Sequence, residues 1–334
     1  MISKFVFIVN SKARQKEFEA FIAMLNSMSR THTDVIEIRQ TEYAGHAVEI
    51  AKEVASRFEG KPEEECDTVV VATGGDGTIH EIANALAGTF VPMGILPLGT
   101  GNDFSRTVMD ESHRSNKELC VSDILTGNIR IGSCDLIKVE SYDTHGTLIP
   151  ECSAWCNNVA SIGFDTDVQA MAKAKVAKNP KSKLVRNTAY MTSALTLLFG
   201  DRGHELIYTS NRADGKPAKS EHDRYTMVTV CNGGYYGDGF HPAPRARVSD
   251  GLMDISAIRD VPLIRAMGLL GSYKNGKHEK SSAADCFQCT KITVEAPHDK
   301  VLLGNYDGED FSGNRIVFTL VPGSLRLMYY GKQG

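Results

Sequence analysis

The most restrictive feature of the sequence is one segment, TVVVATGGDGTIHEIANALAG at residues 68–88. Its β-branched run at residues 69–71 is typical of a strand that is buried on both faces, as in a parallel sheet. After the glycines, apolar residues recur at i, i+3, i+4 and i+7, which predicts a helix packed on that sheet. The loop therefore ends at a helix N-terminus, where free N–H groups and the helix dipole favour an anion such as phosphate.

Three glycines and one acid form this loop. Gly74, Gly75 and Gly77 allow a ligand to approach the backbone closely. Asp76 would repel a phosphate that it faced directly, so we expect it to hold Mg²⁺, a water or a hydroxyl beside the nucleotide. The alternative is a glycine-rich turn closed by an Asx hydrogen bond.

The first third of the chain alternates between predicted strands and predicted helices. The strands are KFVFIVN, DVIEIRQ, the valine run and MGILP. This alternation predicts a doubly wound parallel sheet with helices on both faces, whose ligands bind beyond the carboxyl ends of the strands. The loops NSKAR, TGGDGT and PLGTGNDF should therefore meet at one edge. Neither a P-loop motif nor a complete G-x-G-x-x-G is present, which argues against both of those nucleotide sites.

From about residue 132 the pattern changes to short strand-like runs separated by turns, with helices expected only around 166–199 and 262–271. This pattern predicts a mostly antiparallel β-sandwich domain. The length of 334 residues also favours two domains. We place the first at residues 1–132 and the second at residues 133–315.

Composition excludes several classes of protein. The net charge of −4 gives no general attraction to nucleic acid, so we expect no nucleic-acid partner. Eight cysteines without a secretory signal favour a reducing cytoplasm, and no set of His and Cys completes a zinc site. We find no run of the ~20 apolar residues that a membrane span needs.

Six separated stretches resemble, in the right order, the diacylglycerol kinase catalytic-domain family of bacterial soluble lipid kinases. The family is related more distantly to sphingosine and ceramide kinases. The stretches are GGDGTIHEIANAL at 74–86, PLGTGNDFSR at 97–106, CDL around Asp135, SIGFDTDV at 161–168, NGGYYGDGFHPAPRARVSDGLMD at 232–254 and DGE at 307–309. One departure is the first motif, usually N-P-x-x-G, which here reads NSKAR at 10–14.

The resemblance implies a first domain like that of NAD kinases and phosphofructokinases, which share GGDGT or nearly so. It also implies that the C-terminal segment 316–334 returns to complete this domain. The implied reaction is transfer of the γ-phosphoryl group of ATP to a lipid hydroxyl. Diacylglycerol, giving phosphatidic acid, is the first choice of acceptor, and phosphatidylglycerol and sphingoid bases are the others.

The resemblance also implies roles for particular residues. Asp76 organises Mg²⁺ near the phosphates, Glu309 is the general base for the acceptor hydroxyl, and Asp135 is its partner. Positioning, metal charge and a base are a sufficient set for phosphoryl transfer. The implied nucleotide contacts are Asn10, Ser11, Thr41, Gly74, Gly75, Gly77, Thr78, Thr100 and Asn102.

A second, structural Mg²⁺ is implied at the DGL loop, bound by Asp250 and the carbonyls of Arg247 and Leu252. Oxygen ligands and several waters suit this ion. The alternative is a plain Asp-Gly hairpin turn.

The segment MAKAKVAKNPKSKLVR at 171–186 carries a local positive charge without an acid. Its basic residues are Lys173, Lys175, Lys178, Lys181, Lys183 and Arg186. Each is worth about 1 kcal/mol near an anionic membrane surface. We therefore expect a cytoplasmic protein that contacts the membrane peripherally, and the alternative is a solvated helix face.

Two other functions remain open. An NAD kinase would share GGDGT but leave the downstream stretches unexplained. A non-catalytic lipid-binding protein is less consistent with intact Asp76, Asp135 and Glu309. The sequence does not determine the oligomeric state, and a homodimer is left open.

Overall fold

A computed structural model of the chain describes residues 2–10, 15–179, 182–213, 219–237 and 239–331. Its strands are β1 (Lys4–Asn10), β2 (Ile36–Thr41), β3 (Thr68–Gly74), β4 (Met93–Pro97), β5 (Ile129–Tyr142), β6 (Ala154–Cys156), β7 (Val159–Gly163), β8 (His204–Arg212), β9 (Lys219–Cys231), β10 (Met253–Arg259), β11 (Ala284–Glu295), β12 (Leu302–Tyr306), β13 (Glu309–Gly313) and β14 (Arg315–Tyr330). Its helices are α1 (Gln15–Thr31), α2 (His46–Ser56), α3 (Asp76–Leu86), α4 (Asp103–Val108), α5 (Glu111–Ser115), α6 (Lys117–Thr126), α7 (Phe164–Lys178), α8 (Lys183–Leu198) and α9 (Leu263–Lys274).

The first part of the chain forms a parallel sheet in the order β2, β1, β3, β4. Alternate residues of its buried strands point to opposite faces. Val6 and Ile8 pack into the core that contains α2 and α3, whereas Phe5 and Phe7 pack into the core that contains α1 and α6. The predicted doubly wound α/β architecture is confirmed.

The second part is mostly antiparallel, as the sequence predicts. Strand β9 pairs with β7, β8 and β10, and β11 pairs with β8, β10 and β14. The strands β8, β9, β10 and β11 therefore close into a ring, which surrounds apolar side chains such as Tyr208, Tyr225 and Phe287. The described α-helices of this region are α7, α8 and α9; α7 packs against β7, β9 and β12, and α8 packs against α7.

One long ribbon of β5 and β14 joins the two parts. Near its start, β14 pairs with β11, and further along Leu327 pairs in parallel with Met93 of β4. β5 accompanies β14 along both halves, with a register shift between Val321 and Leu325. The boundaries that we placed at 132/133 and 315/316 fall within this ribbon, so the division into domains stays a prediction.

In the part of the chain that the structure describes, no helix is long and apolar enough to cross a bilayer.

Candidate active site

The carboxyl ends of the parallel strands bring several predicted nucleotide contacts together. Asn10 ends β1 and pairs in register with Thr41, which ends β2. The Nδ2 of Asn10 donates a hydrogen bond to Thr78 Oγ1 at 3.1 Å, in the first turn of α3. Gly74, the last residue of β3, lies beside Pro97 of β4. Ser11 lies outside the described residues.

Two glycine loops meet backbone to backbone at this edge. A Cβ on Gly99 would lie 2.5 Å from the Cα of Gly75, so neither loop tolerates a side chain at the contact. Asn102, which has a φ of +50°, closes its loop by accepting the Gly99 N–H and donating to the Gly99 carbonyl, both at 2.9 Å. Thr100 stands exposed at the tip, and a Cβ on Gly77 would meet nothing within 4 Å. The two loops are therefore closely packed where Gly75 meets Gly99, and there is free space beside Gly77 where a ligand could approach.

Asp76 is the first residue of α3, and its carboxylate faces the neighbouring loop. Its Oδ1 accepts a hydrogen bond from the Phe104 N–H of α4 at 3.3 Å. Burial raises the pKa of Asp76, and the negative charge of Asp307 adds to that rise. The carboxylate thus sits where a nearby cation would stabilise its charged form.

A polar cavity of about 320 Å³ opens between the two parts of the molecule. Four carboxylates line it, from Asp76, Asp103, Asp165 and Asp307, and no Lys or Arg is among the described residues that do so. A polyphosphate could not enter such a cavity without a cation to offset the repulsion. This charge balance is the observation that fits a bound Mg²⁺, which proteins hold through one or two carboxylates together with substrate phosphates.

Sequence reasoning missed the anchoring role of Asp307. This residue sits at the turn between β12 and β13 with a φ of +50°. Its Oδ2 accepts the N–H of Asn157 at 2.7 Å, and its Oδ1 accepts those of Asn158 at 3.0 Å and Val159 at 3.1 Å. Asp307 therefore fixes the DGE turn against the β6–β7 loop.

The helix after the GGDGT loop reaches the same turn. His80 Nδ1 lies 3.1 Å from Asp307 Oδ2. Burial alone would lower the pKa of His80, but the hydrogen bond to Asp307 and its charge raise it above the ordinary value. Asn84, one turn further along, exchanges hydrogen bonds with the backbone of Trp155 on β6. His80 and Asn84, two polar residues at i and i+4 that are directed at the second part of the chain, were the available sequence signal.

Glu309 and Asp135 lie in different surroundings. Glu309 is exposed at the start of β13, directly after Gly308, which lines the polar cavity; Glu309 itself is not among the described residues that line it. Asp135 is buried and does not line the cavity, because its carboxylate accepts the N–H of Gly251 and of Gly323, each at 2.8 Å. The structure therefore brings Asp76 close to the DGE turn and places Asp135 at the bend of β14 instead.

The predicted second cation site lies beside Asp135. Asp250 Oδ1 accepts the N–H of Leu252 at 3.1 Å, within the turn that Gly251 makes with a φ of +75°. Burial raises the pKa of Asp250, as does the nearby charge of Asp135. No group of three or more His, Cys, Asp or Glu able to hold a metal occurs among the described residues. Arg247 is exposed in the same loop, and the cation site stays a prediction.

An apolar cavity of about 440 Å³ adjoins the polar one. Its apolar lining includes Phe164, Val168, Leu198, Met227, Phe240 and Leu270. Asp165, Tyr236 and Gly237 line both cavities and so form the junction between them.

Asp165 is a second residue that sequence reasoning missed, although it lies in the quoted SIGFDTDV stretch. Burial raises its pKa to about 6. Its Oδ1 is buried and has no hydrogen-bond partner in the described structure. Asp165 therefore combines a raised pKa with a position at the junction of the two cavities, which are features of functional sites.

The basic segment is only partly described. Lys173 Nζ pairs with Asp310 Oδ2 at 2.6 Å, and Lys175 Nζ donates to Thr192 Oγ1 at 3.2 Å. Lys178 is exposed at the end of α7. Lys181 and the side chains of Lys183 and Arg186 lie outside what the structure describes. Membrane contact by this segment stays a prediction.

Comparison with known proteins confirms the resemblance. A family model described as the diacylglycerol kinase catalytic domain matches residues 4–135, and one described as the YegS C-terminal NAD kinase beta sandwich-like domain matches residues 158–329. A Pseudomonas aeruginosa protein named "Probable lipid kinase YegS-like" is 30% identical over 261 residues, which cover 77% of this chain and 75% of that protein. A protein of the same name from Xanthomonas axonopodis is 25% identical over 284 residues, covering 83% and 84%.

The fold has a solved counterpart. The crystal structure of a diacylglycerol kinase from Bacillus anthracis matches with a TM-score of 0.64 at 19% identity, covering 99% of this chain and 97% of that one. The fold, the two matching family models and the relatives therefore agree along nearly the whole chain. The chain belongs to the diacylglycerol kinase catalytic-domain family of YegS-like lipid kinases, which are phosphotransferases that use an alcohol as acceptor.

Proposed function

We propose that this protein transfers the γ-phosphoryl group of ATP to the free hydroxyl of diacylglycerol, giving phosphatidic acid. The observation that carries the proposal is the junction of the two cavities at Asp165, Tyr236 and Gly237. A molecule with a hydroxyl head and an acyl tail can place the head among the carboxylates and the tail in the apolar cavity. A soluble dinucleotide such as NAD has no use for an apolar cavity of this kind, so the NAD kinase alternative gains no support.

The nucleotide belongs, in this proposal, at the carboxyl ends of the parallel strands. Asn10, Thr41 and Thr78 would contact it together with Gly74, Gly75 and Gly77, while Thr100 and Asn102 would contact it from the second loop. Asp76 would hold Mg²⁺, which neutralises the charge that develops on the transferring group. Because no Lys or Arg lines the polar cavity among the described residues, we expect the reaction to depend strongly on the divalent ion.

Glu309 is the proposed general base. It is exposed beside Gly308, which lines the polar cavity, and the turn that carries it is held by the three backbone N–H groups that Asp307 accepts. Asp135 and Asp250 are proposed to act away from the reacting atoms. They would fix the bend of β14 and the DGL turn, with a second Mg²⁺ bound there by Asp250 and by the carbonyls of Arg247 and Leu252.

A specific observation favours a second acceptor, a sphingoid base. Asp165 places a carboxyl group at the junction of the two cavities, since it lines both of them. The ammonium group of a sphingoid base would pair with it, whereas diacylglycerol would offer only a hydroxyl. Asp165 would therefore form an ion pair with a sphingoid base but only a hydrogen bond with diacylglycerol.

The test is ADP release with purified protein, ATP and a panel of acceptors in mixed micelles. The panel contains diacylglycerol, phosphatidylglycerol, a sphingoid base and NAD, and products are identified by mass spectrometry. We expect phosphatidic acid in the presence of Mg²⁺ and none after chelation. Preferential phosphorylation of the sphingoid base would replace the acceptor, and phosphorylation of NAD without any lipid product would refute the proposal.

The proposal also places the protein at the cytoplasmic face of a membrane, since its acceptor resides in a bilayer. The exposed Lys178 and the partly paired Lys173 are consistent with contact to anionic lipid. A homodimer has no observation in its favour among the described residues.

A further inference from the structure

Helix α9 carries an apolar face that no other described element covers. Ile264 is 88% exposed, Met267 54% and Leu270 41%. The three residues are spaced three apart and therefore lie along one side of the helix. Only Leu269 and Tyr273 of this helix are buried. Single exposed apolar residues are common, but a run of them along one helix marks an interaction site.

Phe199, which directly follows α8, is a further exposed apolar residue. It is 69% exposed. The guanidinium of Arg202 ties the end of α8 to the start of α9, since it donates to the Leu198 carbonyl at 2.6 Å and to the Val261 carbonyl at 3.0 Å. We call Phe199, Ile264, Met267 and Leu270 the α8–α9 apolar surface.

This surface is continuous with the apolar cavity. Leu270 is exposed on the outside and also lines the cavity, together with Leu198 and Phe164. A second, smaller apolar pocket between α8 and α9 is lined by Leu270 and Leu269 as well. One residue of the α8–α9 apolar surface, Leu270, therefore also forms part of the wall of the apolar cavity.

The charges of α9 suit an anionic partner. The helix contains Arg265 and Lys274 and no acid. Lys274 Nζ lies 5.6 Å from the centre of the Phe240 ring, which lines the cavity. The nearest acid along the chain, Asp260, is already paired with Arg202 and Arg224. Apolar side chains between basic ones are typical of segments that lie in the interface of an anionic bilayer.

We propose that the α8–α9 apolar surface inserts into the interfacial layer of an anionic lipid bilayer and that acyl chains enter the apolar cavity past Leu270. The inference rests on the proposed function in so far as the bilayer supplies the acceptor. Four exposed side chains are too few for a stable dimer, which uses about 20–30 residues a side. Binding to a bilayer, by contrast, requires only that a few apolar side chains insert shallowly into its interfacial layer.

The experiment measures sedimentation with vesicles of equal parts phosphatidylglycerol and phosphatidylcholine. The variant replaces Ile264→Ser and Met267→Ser, and the matched control replaces Phe90→Ser and Val301→Ser, which are exposed apolar residues elsewhere. We expect about a tenfold or greater fall in vesicle binding for the first pair, because two apolar side chains lose their burial in lipid. The control should stay within about twofold of wild type.

A third variant, Lys173→Gln with Lys178→Gln, tests the basic segment by itself. If only this variant loses vesicle binding and the α9 pair binds like wild type, the inference is overturned. A dimer of the wild-type protein that the α9 pair dissolves, without a change in vesicle binding, would overturn it as well.

Activity toward a short-chain, monomerically dispersed diacylglycerol separates this inference from the proposed function. The α9 pair should keep its kcat/KM for that acceptor and lose activity only toward acceptor in vesicles. If the wild-type protein binds vesicles through this surface but phosphorylates no lipid, the proposed function is refuted. Membrane binding by the α8–α9 apolar surface is then still supported. If the α9 pair keeps wild-type activity toward acceptor in vesicles, membrane binding by the α8–α9 apolar surface is refuted and the proposed function is not.

Discussion

Replacing Asp307 with asparagine tests whether one buried carboxylate holds together the segments that form the candidate active site. In the wild type, this carboxylate accepts three backbone N–H groups, from residues 157, 158 and 159, and also meets the ring of His80. Asparagine keeps the size of the side chain but turns one acceptor oxygen into a donor. Its best orientation keeps the oxygen toward Asn158 and Val159 and leaves the N–H of Asn157 facing an amide NH₂.

The cost follows from these contacts. Asn157 is only 2% exposed, so its N–H cannot turn to water instead. A buried donor left unsatisfied costs about 1–3 kcal/mol. The two remaining bonds lose the strengthening that a charged acceptor gives, and this adds about 1 kcal/mol. We therefore expect Asp307→Asn to lower the free energy of unfolding by about 2–4 kcal/mol, a large share of the roughly 5–15 kcal/mol of a typical protein.

The assay is urea unfolding of Asp307→Asn beside Asp310→Asn. The control makes the same chemical change three residues away, where an exposed carboxylate pairs with Lys173, and it should alter stability little. In the folded Asp307 variant, NMR titration should also show a lower pKa for His80, because the bond and charge that raise it are gone. If both variants unfold at the same urea concentration, the anchoring role of Asp307 is wrong.

Three further predictions concern the cleft. Glu309→Gln should lower turnover by roughly 10² to 10⁴ while nucleotide affinity stays within a few fold, and near wild-type turnover in a folded variant would remove Glu309 as the base. Asp76→Asn should lower turnover and raise the Mg²⁺ concentration needed for half-maximal activity, as measured by metal titration at saturating ATP. Asp165→Asn should stabilise the fold by about 3 kcal/mol at pH 7 and not at pH 3, while it weakens turnover with lipid. The sign of this effect follows from the raised pKa of Asp165, which is about 6 in the folded protein. The charged carboxylate destabilises the folded state once the pH exceeds the pKa of the unfolded chain. This destabilisation reaches its full size only above the pKa of the folded protein. A melting temperature that is unchanged at both pH values would contradict this last prediction.

Some of this protein could be predicted from local sequence patterns. The valine run and the helical spacing after Gly77 predict the β3–α3 unit, and the structure has β3 at Thr68–Gly74 and α3 at Asp76–Leu86. The convergence of the loops at one edge also follows, because all parallel strands end on the same side. Periodicity and glycine chemistry act over a few residues, so the printed sequence contains them in full.

The partners of the acidic residues at the candidate site were decided by the tertiary structure. His80 and Asp307 are 227 positions apart, and nothing in either neighbourhood indicates the other. The sequence does not distinguish the surroundings of Asp135 and Glu309, yet Asp135 is buried and accepts two backbone N–H groups, whereas Glu309 is exposed. Asp165 lines both cavities only because the start of α7 lies where the polar and the apolar cavity meet. The sequence by itself determined which elements form and which loops can approach a phosphate, since those depend on neighbouring residues. Which carboxylate faces the cleft depends on contacts between distant segments, and these exist only once the chain is folded.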